Sequence, residues 1–219
     1  MEIVAEDGGL VLRRREDGSL ELRANGVFVM DTVETSTERA LATRALELHP
    51  APRRVLVGGL GLGFTLEAVL ADDRVEQCTV VEIEPTLVGW MRHGTVPHGP
   101  ALVTDPRAHV QIGDVAAALR ESPPAAYDVV LLDVDNGPSY LVHDANAGLY
   151  EAPLLREAAR ITAPGGRVVI WSASEEPALV EAMGTVFAEV EELSLPVDLQ
   201  GRAEHYWLFA GTPSGTMAT

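Results

Sequence analysis

No lysine occurs in the 219 residues, so every basic side chain is an arginine: 16 of them, against 33 acids, give a formal net charge of −17. That balance argues against nucleic acid as the main partner, because phosphate contacts need clustered cations. It reads either as solubility in an acid-biased, arginine-rich proteome or as a field that attracts a cationic substrate such as an amine. The one cysteine, Cys78, rules out an intrachain disulfide and a multi-cysteine metal cluster. In "EQCTVVEIE" it reads as a small buried apolar residue. Aromatics make up only 5% of the chain, and Trp90, Trp171 and Trp207 read as core or edge positions. The histidines show no H-x-x-x-H spacing, so no metal is expected. No apolar run approaches the roughly 20 residues of a membrane span. The opening "MEIVAEDGGL" is acidic where a secretory leader is basic and then apolar. Together these absences predict a cytoplasmic protein with neither a membrane nor a nucleic-acid partner.

What is present is 47% hydrophobic residues, enough to bury a sizeable core. Residues 1–50 alternate apolar and polar side chains around "EDGS" and "ANG", predicting two or three antiparallel strands. A helix follows over "STERALATRALEL", with Ser36 or Thr37 as its N-cap. Those strands could also pair with a second copy, so a homodimer is possible. From Arg54 onward, strands alternate with helices: "RVLVGG", "QCTVVEIE", "AHVQIGD", "YDVVLLDVD" and "RVVIWSA" are strands separated by helical stretches. "VEELSLPV" and "EHYWLFAGT" add two late strands. The pattern predicts a doubly wound, seven-stranded, mainly parallel α/β sheet over 51–212, with a small antiparallel β appendage and a loose tail over 213–219.

The chemistry-bearing residues fall at strand ends. Gly59, Gly61 and Gly63 lie between a strand and a helix, where glycine lets backbone approach a ligand closely. Their G-x-G-x-G spacing lacks the last glycine of dinucleotide folds, which disfavours a nicotinamide dehydrogenase. Glu82 ends the second strand, in a position suited to a ribose diol; the alternative is a solvated acid. Asp114 follows the third strand, as an adenine-side acceptor or a helix N-cap. Asp133 and Asp135 follow the fourth, as substrate-facing or structural carboxylates. Tyr140, His143, Asp144 and Asn146 lie in a long loop of the length that often forms a lid, and His143 is either a surface histidine or a base. Ligands of open α/β sheets bind along this strand edge.

This array resembles the class I S-adenosylmethionine-dependent methyltransferase fold and, within it, the spermidine synthase branch of aminopropyltransferases. The resemblance runs from about residue 20 to residue 210. "LELRANGVFVMDTVETSTERALATRAL" looks like that family's leading strands and helix. "GGLGLGFTLEAVL", with Glu67, resembles its glycine loop, and "VVEIEP" its ribose segment. "IGD" is similar to its adenine-side motif. "YDVVLLDVDNGP" resembles the strand carrying its catalytic Asp, and "ITAPGGRVVI" the wider class's "LKPGG" turn. The resemblance implies S-adenosylmethionine or its decarboxylated form as co-substrate, held by Gly59, Gly61, Gly63, Glu82 and Asp114. Asp133 and Asp135 would be catalytic, facing a small cationic amine. This sequence departs from the family at three places. "GGLGLG" lacks the acid that helps hold the donor's aminopropyl end. "ETSTERAL" stands where the family has a Tyr–His pair. "DVDNGP" replaces roughly "D-S-T-D-P", so the second Asp is Asp135 or absent. Aminopropyl transfer to an amine is therefore weighed against methyl transfer to a small molecule and against a non-catalytic donor-binding homologue.

Overall fold

The computed structural model describes residues 1–134, 137–139, 141, 144–199 and 202–214. Asp135, Tyr140 and His143 lie outside the described residues. The chain opens with four antiparallel strands, β1 (Glu2–Asp7), β2 (Leu10–Arg14), β3 (Leu20–Ala24) and β4 (Val27–Asp31), in that spatial order. Two or three were expected; the acidic first residues form the additional strand. Cross-strand register sets Leu10 opposite Ala24 and Leu12 opposite Leu22, so the period-2 pattern gathers one buried apolar face. Elsewhere in this sheet, Arg15 reaches Glu21 and Asp31, each at 2.7 Å.

Helix α1 (Ser36–Glu47) leads into the large sheet. Its N-cap is Thr35, not Ser36 or Thr37, and no side chain caps it from that position. The turn is held instead by acids: Asp31 accepts from the Val33 and Glu34 amides, and Glu34 from the Ser36 amide.

The remaining elements are β5 (Arg54–Gly58), α2 (Phe64–Leu70), β6 (Gln77–Glu82), α3 (Pro85–His93), α4 (Gly99–Val103), β7 (Ala108–Ile112), α5 (Val115–Glu121), β8 (Tyr127–Leu132), α6 (Ala152–Ile161), β9 (Thr162–Ser172), α7 (Pro177–Gly184), β10 (Phe187–Leu199) and β11 (Arg202–Pro213). The five-residue α4 was not anticipated, because "GPALV" is too short to show helical periodicity. The seven strands order as β10-β11-β9-β8-β5-β6-β7. Strands β5 to β9 pair in parallel, and β11 joins β9 antiparallel.

Alternation along the central strands divides the core. Val55, Val57, Val129 and Leu131 face α1, α2, α3 and the small sheet. Leu56, Val130 and Leu132 face α5, α6 and α7. The apolar face of the small sheet belongs to the first of these cores, so residues 1–50 and the large sheet share one apolar interior. At the N-terminal rim, Asp128 accepts both the Arg53 and Arg54 amides and the Arg54 guanidinium, tying β8 to β5. No helix is long and apolar enough to cross a membrane among the described residues. Cys78 is buried, and burial pushes its thiol up to about 12.

Candidate active site

Strand order reverses between β5 and β8, the switch point at which open α/β sheets bind ligands. A cavity of about 120 Å³ opens there. Its lining includes Gly59 and Gly61 from the glycine loop, Glu82, Asp114 and Asp133 from the strand ends, and Glu38 from α1. Gly63 is outside the lining, and Asp135 lies outside the described residues.

The glycines answer to close packing of protein against protein. A Cβ on Gly59, where φ is +94°, would stand 2.0 Å from the Asp133 carbonyl oxygen. One on Gly61 would meet the Met30 sulfur at 2.6 Å. Gly63 is the left-handed N-cap of α2, pressed by Met91 and Leu102. The loop is anchored from three sides. The Leu60 amide donates to Glu82 Oε2 at 2.8 Å, and the Leu62 amide to Met30 Sδ at 3.1 Å. The Leu62 carbonyl lies 2.7 Å from His98 Nε2. Contacts within the protein therefore hold the loop in this shape.

Glu82 is 6% exposed and is no solvated strand-end acid. Its Oε2 accepts from Leu60 and its Oε1 from the Glu84 amide at 2.9 Å. Burial raises its carboxyl pKa, and the Glu84, Leu60 and Gly61 amides only partly offset the rise. Asp114 caps α5, accepting the Ala116 amide at 2.8 Å, and at the same time borders the cavity. Ile83, an exposed apolar side chain, lines the same end.

Asp133 follows β8, its amide donating to the Gly58 carbonyl at 2.8 Å. The Thr65 hydroxyl donates to its Oδ2 at 2.6 Å. Burial raises its carboxyl to about 6; Thr65 opposes the rise and the Glu82 charge adds to it. Glu38, which the sequence reading did not single out, is driven further. Burial, then the Asp133 charge, raise it to about 7. Its only sequence cue is an acid in a helix's first turn, a position acids favour for ordinary reasons.

The far wall is apolar: Leu10, Leu22, Ala24, Val29 and Met30 of the small sheet. Beyond β8, Ser139 is held by Glu176 at 2.9 Å. A 3-10 helix over Asp144–Tyr150 fills the second half of the expected loop. The Tyr150 hydroxyl donates there to the Val134 carbonyl, and Asn146 is buried on the cavity wall.

Comparison with known proteins fits this architecture. Residues 34–190 match the family described as the spermine/spermidine synthase domain. Putrescine N-methyltransferase 4 of Nicotiana tabacum is 32% identical over 154 residues, 69% of this chain and 36% of that protein. Polyamine aminopropyltransferase of Aeropyrum pernix is 32% identical over 159 residues, 68% of this chain and 48% of that protein. The chain thus spans less than half the length of these curated relatives. Among solved structures, a spermidine synthase bound to the transition-state analogue AdoDATO superposes with a TM-score of 0.75 at 17% identity, covering 94% of this chain and 70% of that one. The spermidine synthase of Thermotoga maritima gives 0.72 at 18% identity, covering 94% and 68%. Fold, strand-end array and matched span agree: the chain belongs to the spermine/spermidine synthase family.

Proposed function

We propose that the chain is a transferase that binds S-adenosylmethionine or its decarboxylated form and, from the decarboxylated form, passes an aminopropyl group to a small amine. The observation that carries this is Asp133: a carboxylate beside the glycine loop, raised to about 6 by burial and facing a cavity that Glu82 and Asp114 also line. In this reading the donor lies along the strand edge. Glu82 takes the ribose hydroxyls, Asp114 the adenine side, and Ile83 an adenine face. Gly59 and Gly61, which border the cavity, bring the loop backbone alongside the donor's sulfur end.

The sulfonium is already a good leaving group, so the protein's work is alignment and a proton. Asp133 accepts a proton from the acceptor ammonium. The freed nitrogen lone pair then attacks the carbon beside sulfur. The C–S bond breaks with its electron pair going to sulfur, leaving a neutral thioether nucleoside and a new C–N bond.

Methyl transfer to the same class of amine is the second reading. Two observations favour it: the glycine loop places leucines, Leu60 and Leu62, where an acid would hold the donor's aminopropyl end, and the matched relatives include putrescine N-methyltransferases.

A panel of diamines and polyamines, run with each donor, tests both. Methylthioadenosine as product identifies aminopropyl transfer, and S-adenosylhomocysteine methyl transfer. Asp133→Asn is expected to lower kcat by roughly 10²–10⁴ while methylthioadenosine binding stays within a few fold. Parent-like turnover in that variant would remove Asp133 from the chemistry.

A further inference from the structure

The cavity contains a carboxylate that the donor scheme leaves unused. Glu38 is 8% exposed and lines the cavity with Asp133. Thr37 donates its hydroxyl to Glu38 Oε2 at 3.0 Å. The Thr65 hydroxyl lies 2.6 Å from Asp133 Oδ2 and 3.3 Å from the backbone carbonyl oxygen of Glu38, which places Asp133 beside the first turn of α1. No arginine or histidine is ion-paired with either acid among the described residues. The neighbouring Arg39 is committed elsewhere: it donates to Glu67 at 2.6 Å and covers the Phe64 ring. Among the described residues, the charges that act on Glu38 are those of Asp133 and of Glu34 ahead of its helix, both acidic; Glu38 in turn raises the Tyr206 phenol of β11. Two near-buried carboxylates without a counter-charge are costly to keep ionised, and a cationic ligand removes that cost.

We infer that Glu38 is an acceptor-binding residue: its carboxylate receives the ammonium of the acceptor beside Asp133, and the pair selects amines over alcohol or thiol acceptors. The inference rests on the transferase reading above. Asp133 and Glu38 divide the work. The acid at the strand end faces the reacting nitrogen, and the acid on the helix sets how tightly that nitrogen is held. Thr65 ties the Asp133 carboxylate to the backbone of the helix turn that carries Glu38.

Glu38→Gln keeps the shape and removes the charge. With the best amine of the panel, its KM for the amine is expected to rise about 10–100-fold, the loss of a charge-assisted hydrogen bond. The kcat should stay within about threefold, and methylthioadenosine affinity, by calorimetry, within about twofold. That split distinguishes contact with the acceptor from a merely structural role, which would move all three together. Glu38→Asp retains the charge and should restore part of the lost affinity. If the Gln variant does not fold, the Asp variant decides: a raised amine KM with unchanged methylthioadenosine affinity supports the assignment. An unchanged amine KM in the variant that folds overturns it. So does a loss of methylthioadenosine affinity equal to the rise in KM, which would place Glu38 on the donor. A parent that turns over no amine sinks the transferase reading and this inference with it. An active parent matched by Glu38→Gln sinks the inference alone.

Discussion

The buried acids that line the cavity are a burden on the folded state. Glu38 is raised from 4.5 to about 7 and Asp133 from 3.8 to about 6, in both cases chiefly by burial. A carboxyl whose folded pKa lies above its unfolded one favours folding at low pH and loses that advantage as pH climbs through the folded value. The ligand-free protein should therefore lose stability as pH rises through about 6 and 7. Glu38→Gln, neutral throughout, should be more stable than the parent by about 1–3 kcal/mol near pH 8. The gap should shrink toward pH 5, as urea unfolding at several pH values would show. A gap that does not change with pH would mean that Glu38 is not strained by its surroundings. Asp128 does not confuse that window. Burial acts on it upward, but the Arg54 guanidinium and backbone amides outweigh it and hold it below the usual carboxylate range. Its contribution is lost only in stronger acid. Of these acids, Glu82, Asp114 and Asp133 were legible in the sequence because each follows an apolar strand, where a carboxylate has a reason to stand. Glu38 was not, because "STERAL" is an unremarkable helix start until β8 and α2 are packed against it.

The glycine loop was legible as an element but not in its reasons. G-x-G-x-G between a strand and a helix marks a ligand site. Which atoms forbid a side chain there is a tertiary fact, set by Asp133, Met30, Met91 and Leu102. Gly59→Ala puts a methyl group 2.0 Å from a backbone oxygen at φ +94°, where neither partner can yield cheaply. We expect a destabilisation of about 2–4 kcal/mol, combining backbone strain with overpacking. Gly113→Ala, on the same rim with nothing within 4 Å, is the control and should be close to neutral. Denaturant midpoints compare the two, and equal midpoints would contradict the packing account. The small helix α4 and the 3-10 segment before α6 escaped the sequence reading for a different reason. Neither is long enough for a periodic apolar stripe, and each is held by what it packs on.

Across the whole molecule, the order of alternating strands and helices was readable because parallel strands buried on both faces write themselves as apolar runs. The junction between the two sheets was not readable. Residues 1–50 read as an appendage, yet their apolar face is one wall of the cavity and part of the larger core. Polar contacts also cross the shared apolar core there: the Leu62 amide donates to the Met30 sulfur of β4, and the Thr86 hydroxyl donates to Asp7 of β1. Thermodynamic reciprocity gives the Met30 contact a consequence. Whatever free energy a bound nucleoside gains from a loop held in this shape is returned as resistance of the small sheet to opening. Saturating methylthioadenosine should therefore slow amide hydrogen exchange in β2 to β4, although most of those amides never touch it. Met30→Ala should weaken nucleoside binding and reduce that distant protection together. Protection confined to the strand-end loops would show that the two sheets open independently. If they open as one, the first thirty residues act as the far arm of a lever, with the Met30 thioether at the point where it bears on the glycine loop.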